Sequence, residues 1–443
     1  MEVSPQTMPR IAIIGAGYAG LAAAVELTRA GLDVTVFESS RVMGGRARVV
    51  EKDGYRLDNG QHILLGAYTE TLKLLRFLKV NPKRLLALPF VLHVPGRLTL
   101  RAANLPAPFH LALGLLQSHE LSWADRFAAL RLIRFLKKCN WRLGEDYPVS
   151  ELLDRTRQTP ILRELMWHQL CVAALNTPPE EASAQVFANV LRDSVGASAS
   201  ASEMLIPRVD LTELLPVQAG VYLGMNGTVI HTANPIKRVS QVDGRFFLEG
   251  DPIEGSHFSH VIVATAPYHV SSLLGDFAEL TYLRGQIDAL PHEPITSVYL
   301  AYDEDVRLPE PMVQLSGSIV QWLFDKGQST GEKGLLAGVI SASGPHTELS
   351  REEIGLQAHQ AVEALFPHKS LKAPRWSQVI TEKRATFACR PGVIRPLGIT
   401  PVKNLLLAGD YVDSPYPATI EAAVRSGLAA ARQVLRTATP PAS

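Results

Sequence analysis

The stretch that most limits what this chain can become runs from Arg10 to Glu38. Arg10 to Ile14 is a short apolar run, the pattern of a fully buried strand. It breaks into Gly15-Ala16-Gly17-Tyr18-Ala19-Gly20. Leu21, Ala22, Ala23, Val25 and Leu27 then keep an apolar helical face up to Gly31, a natural helix stop. Leu32 to Phe37 is a second strand, rich in β-branched residues, with Glu38 at its end. Strand, glycine turn, helix, strand and acid in this order predict the start of an α/β fold of the Rossmann-like kind. The same residues describe a site for a dinucleotide. Gly15 allows the tight turn, Gly17 lets backbone approach a pyrophosphate, and Gly20 lets the helix pack close to the strand. The helix N-terminus, with Tyr18 and Ala19 in its first turn, offers free N–H groups and partial positive charge to the phosphates. Glu38 is placed to accept hydrogen bonds from ribose hydroxyls.

This motif alone does not separate FAD from NAD. The residues after it carry more. Arg41, Gly44, Gly45, Arg46 and Ala47 form a second glycine-and-arginine turn. Glycines there let a loop lie across a diphosphate, and Arg46 supplies a fork of donors; the other reading is a surface turn with solvated arginines. With these residues the chain resembles the flavin-dependent amine oxidase and phytoene desaturase superfamily, where an acid followed by a Gly-Gly-Arg turn marks an FAD site. The resemblance implies a discontinuous FAD-binding domain (8–80, 205–275 and 375–437). It also implies a mixed α+β substrate domain with a helical insertion (81–204 and 276–374). It places Gly60, Gln61 and His62, which follow the Asp58-Asn59 turn, along the flavin or the reacting end of the pocket. It gives Val239 a backbone contact with the adenine. It sets Gly409-Asp410, at the end of the apolar run Val402 to Ala408, on a ribitol or phosphate-side hydroxyl. The helix opened by Thr419 and Ile420 would point its N-terminus at the flavin.

A narrower resemblance rests on other segments. The tryptophan-bearing stretch from Met166, the Leu175-Asn176-Thr177-Pro178 break and the helix end at Val190 to Ser194 are similar to bacterial hydroxysqualene dehydroxylases. Leu205 to Leu211 and Asp58 to Tyr68 fit the same family, also described as squalene-associated FAD-dependent desaturases. The resemblance implies reductive dehydroxylation of hydroxysqualene to squalene in hopanoid biosynthesis, on a long apolar isoprenoid. Only one dinucleotide fingerprint is visible, so the electrons would come from an external donor. His62 is the first candidate for the proton donor and Asp58 the second. Trp167, Asn176, Trp322 and Tyr416 are candidates to line the substrate pocket. Three alternatives stay open: a polyene desaturase or an amine oxidase using the same FAD site, or a non-enzymatic lipid carrier on the same fold.

Composition narrows the remaining classes. The chain has 443 residues, 46% hydrophobic and 20% charged, which suits a globular protein rather than a disordered one. A net charge of +1 gives no drive toward nucleic acid. Cys139, Cys171 and Cys389 lie far apart, so neither a disulfide framework nor a reactive pair is expected, and a reducing, cytoplasmic setting is. There is no Cys/His cluster or HExxH, so no metal is expected. Met1 to Pro9 is short and polar, which predicts no secretion signal. Leu85 to Leu100 and Leu105 to Gln117 are unusually apolar but too short and broken to span a bilayer. They read as core of a second domain, as a tunnel lining, or as peripheral contact with the inner face of a membrane. Leu121 to Cys139 predicts an amphipathic helix whose basic face is solvated. Thr177 and Pro178 are expected to open a helix. The oligomeric state has no signature in the sequence.

Overall fold

The opening motif folds as its pattern dictates. The apolar run becomes strand β1 (Arg10–Ile14), the amphipathic continuation becomes helix α1 (Tyr18–Arg29), and strand β2 (Asp33–Phe37) follows. The structure is a computed structural model that describes residues 9–52, 54–368 and 371–438; the expectation for Met1 to Pro9 falls outside these save for Pro9. The further strands used below are β3 (Val229–His231), β4 (His260–Val263), β5 (His292–Ala301), β6 (Met312–Gln314), β7 (Trp322–Asp325), β8 (Leu335–Ser341), β9 (Trp376–Phe387) and β10 (Leu405–Leu407). The helices are α2 (Thr69–Phe77), α3 (Phe109–Gln117), α4 (Trp123–Lys138), α5 (His168–Leu175), α6 (Ala184–Ser194), α7 (Arg351–Glu363) and α8 (Ile420–Ala438).

The first sheet is parallel throughout, in the order β3-β2-β1-β4-β10. Its central strands are buried, near-continuous apolar runs, as a sheet covered on both faces requires. Helices α1 and α8 pack against each other so closely that a Cβ on Gly427 would stand 2.0 Å from the Ala19 carbonyl oxygen. The sheet thus gathers strands from the beginning, middle and end of the chain. This is an α/β fold with a Rossmann-like parallel sheet, as expected.

The second sheet is antiparallel, in the order β6-β7-β8-β5-β9. Strand β5 alternates. Val298 and Leu300 enter one apolar cluster with Ile354 and Ala358 of α7. Tyr299 and Ala301 enter another that also holds Trp322, Phe324, Phe37 and Leu57. One face of this sheet therefore looks toward the first sheet. Strand β9, inside the expected third FAD segment (375–437), pairs with β5 in the second sheet.

Between the sheets in sequence lies a helical region. Val91, Leu92, Val94, Leu98 and Leu100 are buried in a hairpin, which is the core reading of that stretch. The expectation that Thr177 and Pro178 open a helix is corrected. The next helix, α6, begins at Ala184, where the Ser183 hydroxyl accepts from the Val186 N–H. The Thr177 hydroxyl is occupied elsewhere: it donates to the Leu175 carbonyl and accepts from the Cys389 N–H. Cys171 and Cys389 are buried and Cys139 half-buried, all as free thiols. Among the described residues no helix is long and apolar enough to cross a membrane, and no cluster of His, Cys, Asp and Glu could hold a metal.

Candidate active site

The two glycine turns meet backbone to backbone. Gly15 takes φ +110°, and a Cβ there would sit 2.6 Å from the Ala264 carbonyl oxygen, so strand β4 closes directly over the turn. A Cβ on Gly20 would be 1.9 Å from the Gly15 carbonyl oxygen, which leaves room for hydrogen alone. Gly17 differs. It caps α1 in ordinary extended geometry, and the nearest atom to a Cβ there is Gly45 Cα at 4.0 Å. That open space lies at the helix N-terminus, where free N–H groups receive a phosphate. The Gly44 N–H donates to the Ala16 carbonyl (2.9 Å), which holds the Gly44-Gly45-Arg46 turn beside the first one.

Glu38 is buried at the end of β2. Its carboxylate accepts from the Ala16 N–H (2.7 Å) and the Ser40 N–H (2.8 Å). It thereby ties the acid to the turn it follows. Strand β3 ends alongside: the Glu38 N–H donates to the His231 carbonyl, and the Asn234 N–H to the Glu38 carbonyl. The chain running on from there reaches Val239, which is fully buried in a hairpin opposite Leu248.

Arg46 reaches across the chain. Its guanidinium donates to Asp410 Oδ1 (2.5 Å) and to the Ala385 carbonyl (2.6 Å). Burial works against the Arg46 charge, but the Asp410 carboxylate outweighs it and holds the guanidinium protonated. The Gly409 N–H is fixed by the Ser426 hydroxyl on α8. Thr419 caps α8: the Ala422 N–H donates to its hydroxyl (3.1 Å), and Ile420 follows as the first helical residue. Glu421, fully buried, accepts from the Thr71 N–H and hydroxyl and the Glu70 N–H, so it caps α2.

The Asp58–His62 loop is clamped from the second sheet. The Tyr299 hydroxyl donates to the Asp58 carbonyl (2.8 Å) and accepts from the Gln61 amide (2.5 Å). Asp58 points its carboxylate the other way, to the Leu211 N–H (2.8 Å). Burial pushes the Asp58 carboxyl up to about 6, although Lys326 and the Leu211 N–H oppose the shift. His62 Nδ1 lies 2.9 Å from the Gly60 carbonyl, which only accepts, so Nδ1 carries the hydrogen. Burial, with some help from Arg46, lowers the His62 pKa, which makes it a neutral imidazole at pH 7.

The four candidates for the pocket fall in different settings. Trp322, nearly buried, stands with Phe324 on the inward face of the second sheet. Asn176 is a clasp: its amide donates to Thr386 Oγ1 and the Pro294 carbonyl, and its Oδ1 accepts from the Ala342 N–H. Trp167 is buried in the helical region, with its indole N–H on Gln158. Tyr416 lies under the Arg425 guanidinium, and beside it a cleft of about 540 Å³ is lined by Asn189, Phe387, Val393, Arg395 and Pro415. Sequence reasoning missed Tyr299 and Ser297. Both lie on the inward face of β5, and the Ser297 hydroxyl is fully buried without a partner between Val339 and Ile380. The only signal for them was the alternation of Ile295 to Tyr302.

The residues present fit FAD. Gly17 leaves open space at a helix N-terminus, and Thr265 Oγ1, His231 Nε2 and Tyr411 OH are buried polar atoms without partners, all beside the turn or the Arg46–Asp410 pair. The sequence matches the flavin containing amine oxidoreductase family over residues 18–435. It is 28% identical to a hydroxysqualene dehydroxylase of Zymomonas mobilis, covering 95% of this chain and 97% of that protein. It is 25% identical to a zeta-carotene desaturase of Synechocystis, covering 96% and 97%. The fold is similar to that of cyclohexylamine oxidase from Brevibacterium oxydans, with a TM-score of 0.71 over 97% of this chain and 99% of that one, at 19% identity. With the two glycine turns, the Arg46–Asp410 pair and a family match that spans nearly all of its length, this chain belongs to the flavin containing amine oxidoreductases, and FAD is its cofactor.

Proposed function

We propose that the protein removes the hydroxyl of a long apolar isoprenoid alcohol by reduction, converting hydroxysqualene to squalene. The observation that carries this reading is full-length similarity to hydroxysqualene dehydroxylases from three bacteria, at 28–29% identity. The division into an FAD-binding part (8–80, 205–275 and 375–437) and a substrate part belongs to the same proposal, as do Gly60, Gln61, Val239, Gly409, Thr419 and Ile420 as cofactor contacts. Bound FAD supplies hydride transfer at N5. The chain's own residues bind, orient and exclude water. An allylic C–O bond breaks, a C–H bond forms with the hydride, and the hydroxyl takes up a proton and leaves as water; the two electrons come from an external donor and the two protons from solvent.

The inward face of the second sheet suits such a substrate. Tyr299, Trp322 and Phe324 give an apolar wall, and Ser297 supplies a hydroxyl in its middle. In this reading Ser297 meets the substrate oxygen. The His62 imidazole is neutral, so it serves as a hydrogen-bond partner rather than as an imidazolium acid. A carotene desaturase reading is favoured by the similarity to that group, with electrons flowing the other way. Anaerobic incubation of the chemically reduced FAD enzyme with hydroxysqualene tests the choice. Squalene is the expected product, and Ser297→Ala should lower kcat/KM roughly tenfold, the worth of one buried hydrogen bond. Oxidation of a polyene with a quinone acceptor, and no squalene, would transfer the protein to the desaturases.

A further inference from the structure

Helices α3 and α4 carry an exposed apolar surface that the fold does not use. Phe109, Trp123 and Phe127 are each 63% exposed, and Leu116 and Leu130 about half exposed. The two helices form one surface, because Arg126 of α4 donates to the Leu115 and Ser118 carbonyls at the end of α3 and lies over the Trp123 ring. Trp123, Phe127 and Leu130 repeat at i, i+4 and i+7, so they share one side of α4. Arg134, Lys137 and Lys138 continue that side at i+11, i+14 and i+15. Helix α4 contains five cations, Arg126, Arg131, Arg134, Lys137 and Lys138, against one acid, Asp125, which is buried in the capping box with Ser122. Among the described residues, Arg134, Lys137 and Lys138 make no ion pair with a carboxylate.

From this arrangement we propose that α3 and α4 dock the protein on the surface of an anionic lipid bilayer. Aromatic and leucine side chains would enter the interface, and the basic end of α4 would face the lipid phosphates. Charge complementarity selects this occupant: an apolar stripe continued by unpaired cations matches anionic headgroups over acyl chains. The buried sides of the same helices support it. Leu121, Leu132 and Leu136 of the α4 region belong to the apolar cluster that reaches Trp322 and Phe324, so apolar material is continuous from the exposed stripe to the wall assigned to the substrate. The role in substrate supply rests on the proposed function; the docking itself does not.

Flotation of the FAD-loaded full chain with vesicles tests the docking without any substrate. Binding is expected to vesicles of phosphatidylcholine with phosphatidylglycerol, to weaken with salt, and to be far lower on phosphatidylcholine alone. Arg134→Gln/Lys137→Gln/Lys138→Gln should reduce partition on the order of a hundredfold, at roughly fivefold per cation. Trp123→Ser/Phe127→Ser should abolish flotation while the flavin spectrum stays that of the parent. Absence of wild-type flotation overturns the proposal. So does unchanged vesicle binding in the Trp123→Ser/Phe127→Ser protein together with conversion of a dimer to a monomer, which would make this face an interface between copies. Flotation without squalene formation would instead count against the dehydroxylation reading alone.

Discussion

The two glycine turns and the inward face of the second sheet are built by opposite means. At the turns the functional groups are backbone N–H groups, and side chains are excluded by distance: a Cβ on Gly20 has no place 1.9 Å from the Gly15 carbonyl. On the sheet face the groups proposed for the substrate are side chains, Tyr299, Ser297 and Trp322, on strands that meet only through long-range pairing. The first kind of site is set by local geometry and tolerates almost no substitution. The second is set by register and tolerates substitution residue by residue. On the proposed function, cofactor binding is fixed by the family fold, and substrate choice is left to vary on the facing sheet.

The largest expected effect separates two glycines within the turn itself. Gly20→Ala forces a methyl group onto a backbone oxygen that strand β4 holds from behind, and the protein should fail to fold or to retain FAD at all. Gly17→Ala meets nothing nearer than 4.0 Å and its φ is −75°, so it should fold with little change in Tm. Its methyl group would occupy the phosphate space, and FAD affinity should fall at least about tenfold, roughly 1.4 kcal/mol. Unfolding midpoints and flavin absorbance on the two variants measure this. Equal behaviour of the two variants would break the distinction drawn between a packing glycine and a ligand glycine.

The same contrast explains what could be read from the sequence. The first βαβ unit was legible because its constraints lie within about thirty residues and act on the backbone. Gly409-Asp410 was legible as a strand end, but its pairing with Arg46 was not, because 364 residues separate the two. Thr177 looked like a helix cap; the Cys389 N–H, brought in by the return of the chain after β9, uses its hydroxyl instead. Ser297 and Tyr299 sit in a visible alternation, yet the sequence does not say which side of a two-sided buried strand faces the first sheet. Asn176 looked like a pocket residue and is spent as a clasp, since its amide faces three strands' ends that only the fold assembles.

An intermediate effect concerns Asp58, which lies where the two regions touch. Its folded carboxyl titrates near 6 because burial penalises the charge, whereas in the unfolded chain it titrates near 3.8. The folded state therefore binds the proton more tightly. Its contribution to stability is complete below about pH 4, falls as pH rises to about 6, and is flat above that. The full difference is about 3 kcal/mol. Asp58→Asn keeps an oxygen for the Leu211 N–H and removes the titration. Urea unfolding across this range should show wild type losing stability relative to the variant as pH rises from 4 to 7. A constant difference between the two proteins would mean that the carboxyl is solvated and that the loop is more open than the structure has it.

The smallest effect tests the link between the regions. Tyr299→Phe preserves the ring in the apolar cluster and deletes one oxygen. That oxygen connects the second sheet to the Asp58 carbonyl and the Gln61 amide. The Asp58 carbonyl is left without this donor, at a cost of about 1–2 kcal/mol. Burial, reinforced by the Asp58 carboxylate, keeps the tyrosine protonated throughout the neutral range, so no pH-dependent change in turnover should accompany the substitution. If Tyr299 only fills space, the variant should match the parent in FAD affinity and in KM. If it positions the loop, the flavin spectrum should shift and kcat should drop while KM for the isoprenoid stays constant, because the wall formed by Trp322 and Phe324 is untouched. A fall confined to KM would place Tyr299 on the substrate side alone, and the contact of Arg46 with the Ala385 carbonyl of β9 would then join the two regions without this hydroxyl.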